Sequence, residues 1–496
     1  MTTPPAHDSA SADASTSPPP APSPRRTDPR LTAAIVASAL FMQNLDSTAV
    51  MTALPAMARE LGEEPARLGA AITAYLVALT VFIPLSGWVA DRFGAKRVFM
   101  LAIVLFTIAS VLCGRATGLA ELVAARVLQG LGGAMMLPVA RLLLLRQVRK
   151  DEILTAMTWL TMPALIGPIM GPPLGGLLTD TLGWRSVFLI NLPIGVLGLV
   201  MVAWRIAPAP VAPPGPPDVA GLALTGAALA LVMFGLETVG RGITPPFVSE
   251  ATLVVGLLTG WVAVRHCRRV ARPAVDFALL RIPSFWQAAG PGTLFRIGAG
   301  ATPFLIPTLL QIGFGHSASE AGLVSFATAL GALAMKPLAR PVLRRFGFRA
   351  TITVCCVLAA ASIALSASFT AAWPLWSVFL VLALSGLLRS LQFTAISALA
   401  FADVPAERFS AATGFFATLQ QLAPALGVVL ATATLEASAT LAGRPHGTLA
   451  TADFALAFLV AAGLALAAAP FFARMAPDAG ADVSGHGVGV RRRRGA

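Results

Sequence analysis

The sequence predicts an all-α polytopic membrane protein with fourteen transmembrane spans. Three observations lead there. Apolar stretches long enough to cross a bilayer recur along the chain. A helix needs roughly 20 apolar residues to cross the hydrocarbon core, and residues 31–55, 68–90, 98–114 and 119–145 supply the first four. Charged residues make up 12% of the chain, against about 25% in a soluble domain. The 36 Lys and Arg also gather in alternate connections and in the two tails.

Each element follows from this pattern. The remaining spans are expected at 154–178, 187–206, 219–239, 251–264, 285–312, 318–338, 350–368, 374–399, 411–435 and 454–472. Arg59, Arg67, Arg115, Arg185, Arg241 and Arg444 fall in the sparsely charged connections, while Arg126, Arg141, Arg296, Lys336 and Arg389 fall inside spans. Basic residues stay on the cytoplasmic side during insertion. Both termini are therefore expected in the cytoplasm, with an even number of spans. The net charge of +13 is read as a topology signal and not as a nucleic-acid footprint.

Residues 1–24 are rich in Pro, Ala, Ser and Thr, a composition that builds no core. They lack the apolar core of a signal peptide, which leaves the first span as the insertion signal. The expected organisation is a disordered cytoplasmic tail (1–30), a six-helix bundle (31–206), a linker with two accessory helices (207–282), a second six-helix bundle (283–473) and a basic cytoplasmic tail (474–496). Cys113, Cys267, Cys355 and Cys356 form no CxxC pair, so no disulfide framework or metal site is implied. The three lysines lack the preceding glycine of a phosphate-binding loop. No cofactor is expected, and any energy coupling must come from an ion gradient.

Four runs carry the functional signal. After the second span comes Gly87-Trp88-Val89-Ala90-Asp91-Arg92-Phe93-Gly94-Ala95-Lys96-Arg97. Gly87 allows close helix packing, Asp91 accepts hydrogen bonds, and Gly94 admits the left-handed backbone of a tight turn. A fainter counterpart, Lys336 to Gly347, follows the tenth span without an acidic residue at the matching place. Such a repeat of six-helix units belongs to one large transporter fold. The fourth span holds Arg126-Val127-Leu128-Gln129-Gly130; a charge at that depth is costly and marks function, either as part of a coupling site or as a clamp on internal carbonyls. The fifth span holds Gly167-Pro168-Ile169-Met170-Gly171-Pro172-Pro173-Leu174-Gly175-Gly176, in which prolines bend the helix and glycines admit close neighbours. The first span holds Gln43-Asn44-Leu45-Asp46-Ser47-Thr48 and Ala53-Leu54-Pro55. Asp46 sits near mid-span, where burial disfavours its charged form; it serves either as a proton-coupling site or as a neutral cap on a kinked backbone.

On these runs the chain resembles the major facilitator superfamily, and within it the fourteen-span drug:proton antiporters. The resemblance implies two six-helix bundles plus two accessory helices. It implies a latch between the halves at Gly87, Asp91, Arg92, Gly94, Lys96 and Arg97, with a second latch weak or absent where the acidic residue is missing. It implies a flexing antiporter helix at Gly167, Pro168, Gly171, Pro172, Gly175 and Gly176, and export by alternating access with proton coupling at Asp46 and Arg126. The expected setting is a bacterial cytoplasmic membrane, the expected partners a small solute, protons and lipid, and the expected assembly a monomer without enzymatic activity.

The substrate cavity is expected to include Gln43, Asn44, Gln129, Arg296, Arg389 and Gln392. Asp46 is the one central carboxylate; Glu237 and Glu436 fall near outer span ends. A cation would need additional buried acids as counter-charge. The cavity therefore suits anionic or zwitterionic solutes, unless Arg296 and Arg389 merely satisfy helix ends within an apolar cavity. A lipid flippase or a non-transporting sensor on the same fold remains the alternative. A membrane enzyme is disfavoured because the five His are scattered.

Overall fold

The computed structural model describes residues 29–63, 65–149, 152–206, 216, 218–238, 246–271, 273–316, 318–444 and 449–486. Most of the expected first tail, most of the linker at 207–217 and the terminal arginine cluster lie outside them. The described residues form helices and no strand.

In chain order these are α1 (Pro29–Leu61), α2 (Pro65–Phe93), α3 (Ala95–Arg115), α4 (Leu119–Leu145), α5 (Ile153–Leu182), α6 (Arg185–Arg205), α7 (Val219–Thr238) and α8 (Pro246–Cys267). There follow α9 (Pro283–Gly313), α10 (Ala318–Met335), α11 (Ala339–Leu365), α12 (Leu375–Leu399), α13 (Phe409–Leu441) and α14 (Thr451–Ala473). Among the described residues eleven stretches are long and apolar enough to cross a membrane, one of them Glu320–Ser368, which runs through both α10 and α11. The first and fifth expected spans correspond to α1 and α5, helices of 33 and 30 residues.

Glycine and proline set the breaks. Gly94 (φ +88°) turns α2 into α3, and Gly183 (φ +82°) ends α5; both take backbone that a side chain disfavours. Gly347 (φ +74°) breaks α11. The helix α9 runs in short segments, with Pro291 and Pro303 in the first turns of successive pieces, and ends in a π-helical turn at Leu309–Gly313. Proline removes an N–H from the helix ladder, so α9 is segmented at these positions.

In the first half, α1 lies along α5, α2 and α3 pack on α4, and α6 packs against α1 and α3. In the second half, α10 pairs with α12, α11 packs on α12 and α14, and α9 packs on α13 and α14. The α7–α8 pair leans on α2. The halves meet where α13 touches α2 and α4 and where α5 touches α10 and α12. On the face that carries the basic loops the approach is tight. A Cβ added at Gly87 would lie 2.8 Å from the Ser410 carbonyl oxygen of α13. The chain after α14 folds back against this face. Gly480 packs on Phe348 and Leu399, and His486 Nδ1 lies 3.1 Å from the Arg344 carbonyl. Residues 474–486 are therefore a packed segment, where the sequence suggested a simple basic tail.

Candidate functional site

The first-half bundle encloses a charged cluster with almost no contact with solvent. Asp46 (α1) and Arg126 (α4) are each 1% exposed. Arg126 Nη1 donates to Asp46 Oδ2 at 2.6 Å and to Gln129 Oε1 at 2.6 Å. Gln129 Nε2 donates to Asp46 Oδ1 at 3.0 Å, and Asn191 Nδ2 of α6 donates to the same oxygen at 2.7 Å. Ser110 of α3 ties the cluster together. Its Oγ accepts from Gln129 Nε2 (2.8 Å) and Asn191 Nδ2 (3.1 Å), and donates to the Phe106 carbonyl at 2.9 Å. The Cys113 thiol donates to Gln129 Oε1 at 3.7 Å. Four helices thus converge on one carboxylate.

Each side chain reaches the centre for a local reason. Arg126 and Gln129 lie three residues apart on α4 and so share a face. Just beyond Gln129 the α4 backbone approaches α2 so closely that a Cβ at Gly130 would lie 2.6 Å from the Tyr75 carbonyl. Tyr75 and Phe188 wall the guanidinium, 4.4 and 5.8 Å from their ring centroids. A cation over an aromatic face gains energy as it loses water. Buried charges persist only when paired and hydrogen-bonded, and here both conditions are met. The Asn191 Oδ1 atom has no hydrogen-bond partner among the described residues.

Asp46, Arg126 and Gln129 were legible in the sequence. Asn191, Ser110, Cys113 and Tyr75 were not singled out, although Tyr75 is the one tyrosine of the chain. Gln43 is half-buried near this cluster; a Cβ at Gly133 would lie 3.4 Å from both Gln43 Nε2 and the Tyr75 hydroxyl. Asn44 points elsewhere. It donates to the Leu40 carbonyl of its own helix (2.8 Å), and its Cβ faces Gly167 of α5.

The α5 glycines explain how α1 is held. A Cβ at Gly167 would lie 2.8 Å from Asn44 Cβ, one at Gly171 would collide with Thr48, and one at Gly175 would lie 2.5 Å from Thr52 Oγ1. Positions i, i+4 and i+8 of α5 thus receive the side chains at positions i, i+4 and i+8 of α1 directly on the α5 backbone. Gly176 meets nothing within 4 Å. The side chains of Pro168 and Pro172 lie outside the described ones.

The loop at 87–97 also has a definite geometry. Arg146 Nη2, at the end of α4, donates to Asp91 Oδ1 at 2.5 Å, and Lys96 Nζ donates to the Ala203 carbonyl of α6 at 2.8 Å. Both contacts stay within the first half. The approach to the second half falls to Gly87 against Ser410. Arg92 and Arg97 are exposed.

The second-half residues divide. Arg389 Nη1 donates to the Ala299 carbonyl at 3.2 Å and also to Thr302 Oγ1, and so fastens a break in α9. Arg296 Nη2 lies 3.4 Å from Ser397 Oγ. Its guanidinium sits 4.7 Å from the Phe393 ring and 5.4 Å from the Phe416 ring. Gln392 is fully buried, and neither of its amide atoms has a partner among the described residues. Among the described residues no group of three or more His, Cys, Asp or Glu could hold a metal ion.

A family model described as Major Facilitator Superfamily matches residues 36–284 and 292–492. A protein of Klebsiella pneumoniae subsp. pneumoniae is 36% identical over 454 residues, covering 90% of this chain and 95% of its own. One of Pectobacterium carotovorum is 38% identical over 400 residues (80% and 85%), and one of Cronobacter sakazakii 36% over 470 (93% and 97%). All three carry the provisional name multidrug resistance protein MdtD. The fold is similar to the crystal structure of the human organic anion transporter MFSD10 (TETRAN), with a TM-score of 0.65 at 17% identity, covering 90% of this chain and all of that one. A match across both bundles, with relatives above 30% identity along most of the length, makes this chain a member of the Major Facilitator Superfamily.

Proposed function

We propose that the chain is a proton-coupled exporter of small molecules, with Asp46 as the proton site. The observation that carries this reading is the Asp46–Arg126 pair, 2.6 Å apart and closed to water, at the meeting point of α1, α3, α4 and α6. A permanent ion pair at this depth is costly to keep. A carboxylate that gains and loses a proton gives the cost a purpose.

The fold class and relatives support a transporter, and multidrug-type export comes from what the relatives are named. Topology follows from the basic loops. The face where Gly87 meets Ser410 is cytoplasmic, as are both ends of the chain, in a bacterial inner membrane. The arrangement is then closed towards the cytoplasm. A proton arriving from outside neutralises Asp46 and removes the charge that holds Arg126. A neutral carboxyl also carries one O–H donor, for which the orphaned Asn191 Oδ1 is a ready acceptor. Arg126, which keeps its charge at any physiological pH, then needs a new partner, and the four helices rearrange around it. Loss of the proton to the cytoplasm restores the pair.

The test is proton movement in proteoliposomes, screening cationic dyes against organic anions, with Asp46→Asn beside the unmodified chain. Substrate-driven proton release that disappears in Asp46→Asn supports the reading. Release that persists in the variant refutes Asp46 as the coupling group.

A further inference from the structure

Between the halves lies a second concentration of charge, and it lacks a counter-ion. Arg141 of α4 is 2% exposed, and its Nε and Nη1 have no hydrogen-bond partner among the described residues. Its guanidinium lies 5.5 Å from the Phe416 ring centroid. Arg296 of α9 reaches the same ring from the second half at 5.4 Å, with its Nε also unpartnered. Among the described residues neither arginine forms an ion pair. Among the described residues the buried carboxylates are Asp46, held by Arg126, and Asp453, held by Ser438, Arg444 and the Ala450 N–H.

This arrangement is expensive. Burying an unpaired cation costs far more than pairing it returns. Two cations on one ring also repel, and aromatic faces offset only part of this. Each orphaned N–H in a guanidinium fork is a donor shaped for an oxyanion. The two forks come from different halves, and they are buried where the halves close on the basic face.

We propose that Arg141 and Arg296 form a binding site for an organic anion, a carboxylate beside an aromatic ring, which bridges the two halves and stabilises closure of the basic face. The inference rests on the export reading above and names its substrate class. With the basic face open, the two forks separate and are offered to solutes from that side. An anion that engages both forks supplies the missing counter-charge only when the halves come together. It therefore binds the closed arrangement better than the open one, and a ligand shifts a conformational equilibrium by that difference in affinity. Phe416 and Phe393 supply apolar surface for the body of the solute, and Ser397 lies beside Arg296.

The experiment uses the full chain in lipid nanodiscs without a pH gradient. The probes are benzoate, benzamide and benzylammonium, which share a ring and differ in charge. Readouts are thermal stabilisation and the distance between spin labels at exposed positions 149 and 345, one in each half. Benzoate should raise the melting temperature and narrow the distance distribution towards its shorter component, while benzamide and benzylammonium should do neither. Hydrogen bonds to charged groups are strong enough that losing one fork should weaken benzoate binding about tenfold or more in Arg141→Gln and again in Arg296→Gln. Without anion, Arg141→Gln should melt no lower than the unmodified chain, because it removes an unpaired buried charge; this melt also reports that the variant folds. Arg141→Lys should keep part of the benzoate response. Equal responses to benzoate and benzamide, or an undiminished benzoate response in both glutamine variants, would overturn the site. A chain that binds benzoate through both arginines yet moves no protons would sink the antiport reading alone.

Discussion

The Asp46–Arg126 pair predicts an asymmetric double-mutant cycle. Asp46→Asn leaves a guanidinium that cannot lose its proton buried among Gln129 Oε1, the Ala71 carbonyl and two aromatic rings. Removing one partner of a buried pair costs about 3–5 kcal/mol. At about 2–4 °C per kcal/mol for a unit of 150–250 residues, the apparent melting temperature should fall by roughly 6–20 °C. Arg126→Gln should cost less. The stranded carboxylate keeps its donors from Gln129 and Asn191, and it can take up a proton. The double variant Asp46→Asn/Arg126→Gln buries no charge and should recover part of the loss, giving a coupling energy well outside the ~0.5 kcal/mol expected of independent sites. The assay is thermal unfolding in detergent and in nanodiscs, with proton movement measured on the same preparations. Additive losses, or single variants that melt with the unmodified chain, would refute the claim that this pair holds the helices. The same numbers bear on mechanism, because Asp46→Asn mimics protonation. The loss it causes measures how strongly proton uptake drives the bundle out of this arrangement.

Other consequences follow from the packing. Gly171→Ala places a methyl against Thr48 and should cost about 1–3 kcal/mol as overpacking, with export reduced, whereas Gly176→Ala meets open space and should change stability by no more than about 0.5 kcal/mol; thermal melts of the two distinguish them. Asp91→Asn removes a half-exposed contact with Arg146 and should cost about 1 kcal/mol at most, so a large loss of export at normal melting temperature would show that the contact acts on the transport cycle. At the foot of α7, burial alone would raise the Asp218 carboxyl, but His266 and the N–H groups of Gly221 and Ala274 outweigh it and hold it below the usual carboxylate range. A group depressed on folding contributes stability above its unfolded value, near pH 3.9, and that contribution is lost as pH falls through the lower folded value. Asp218→Asn should therefore flatten the acid side of the stability–pH curve and lower the rest of it without changing its slope.

Much of the molecule was legible because a membrane makes polar residues expensive. Asp46 and Arg126 stood out for that reason, and Gln129 by its spacing from Arg126. Ser110 did not, because a serine in an apolar helix can satisfy itself on its own backbone, as Ser110 also does at Phe106. The same ambiguity misplaced Asn44, whose amide is spent on Leu40 while its Cβ packs against α5. Arg389 looked like a cavity residue by depth, yet a break in α9 absorbs it. Nothing in the local pattern of α12 reveals that segmentation, which arises from prolines in another helix. Arg141 was visible as an in-span charge, but its sharing of Phe416 with Arg296 depends on how two distant halves meet.

The two charged sites differ in a way that bears on coupling. The Asp46 cluster lies within the first half, so titration there moves the second half only through a helix that touches both. On the export reading α4, which carries Arg126 and touches α13, is one such helix, and α5 is another. Its glycine face receives α1 at Asn44, Thr48 and Thr52, bracketing Asp46, and its other contacts reach α10 and α12. With no α5 side chain at these positions, the α1 side chains press directly on the α5 backbone, and little can absorb a shift of α1, because packed interiors transmit strain. Arg141 and Arg296, by contrast, reach Phe416 from different halves, and on the anion proposal they are the groups that respond to solute. On these two proposals proton and solute act on the same closure from different places, one by loosening a bundle from within and the other by bridging the seam. This separation accounts for Gly171 standing in neither charged site while its substitution is expected to impair export.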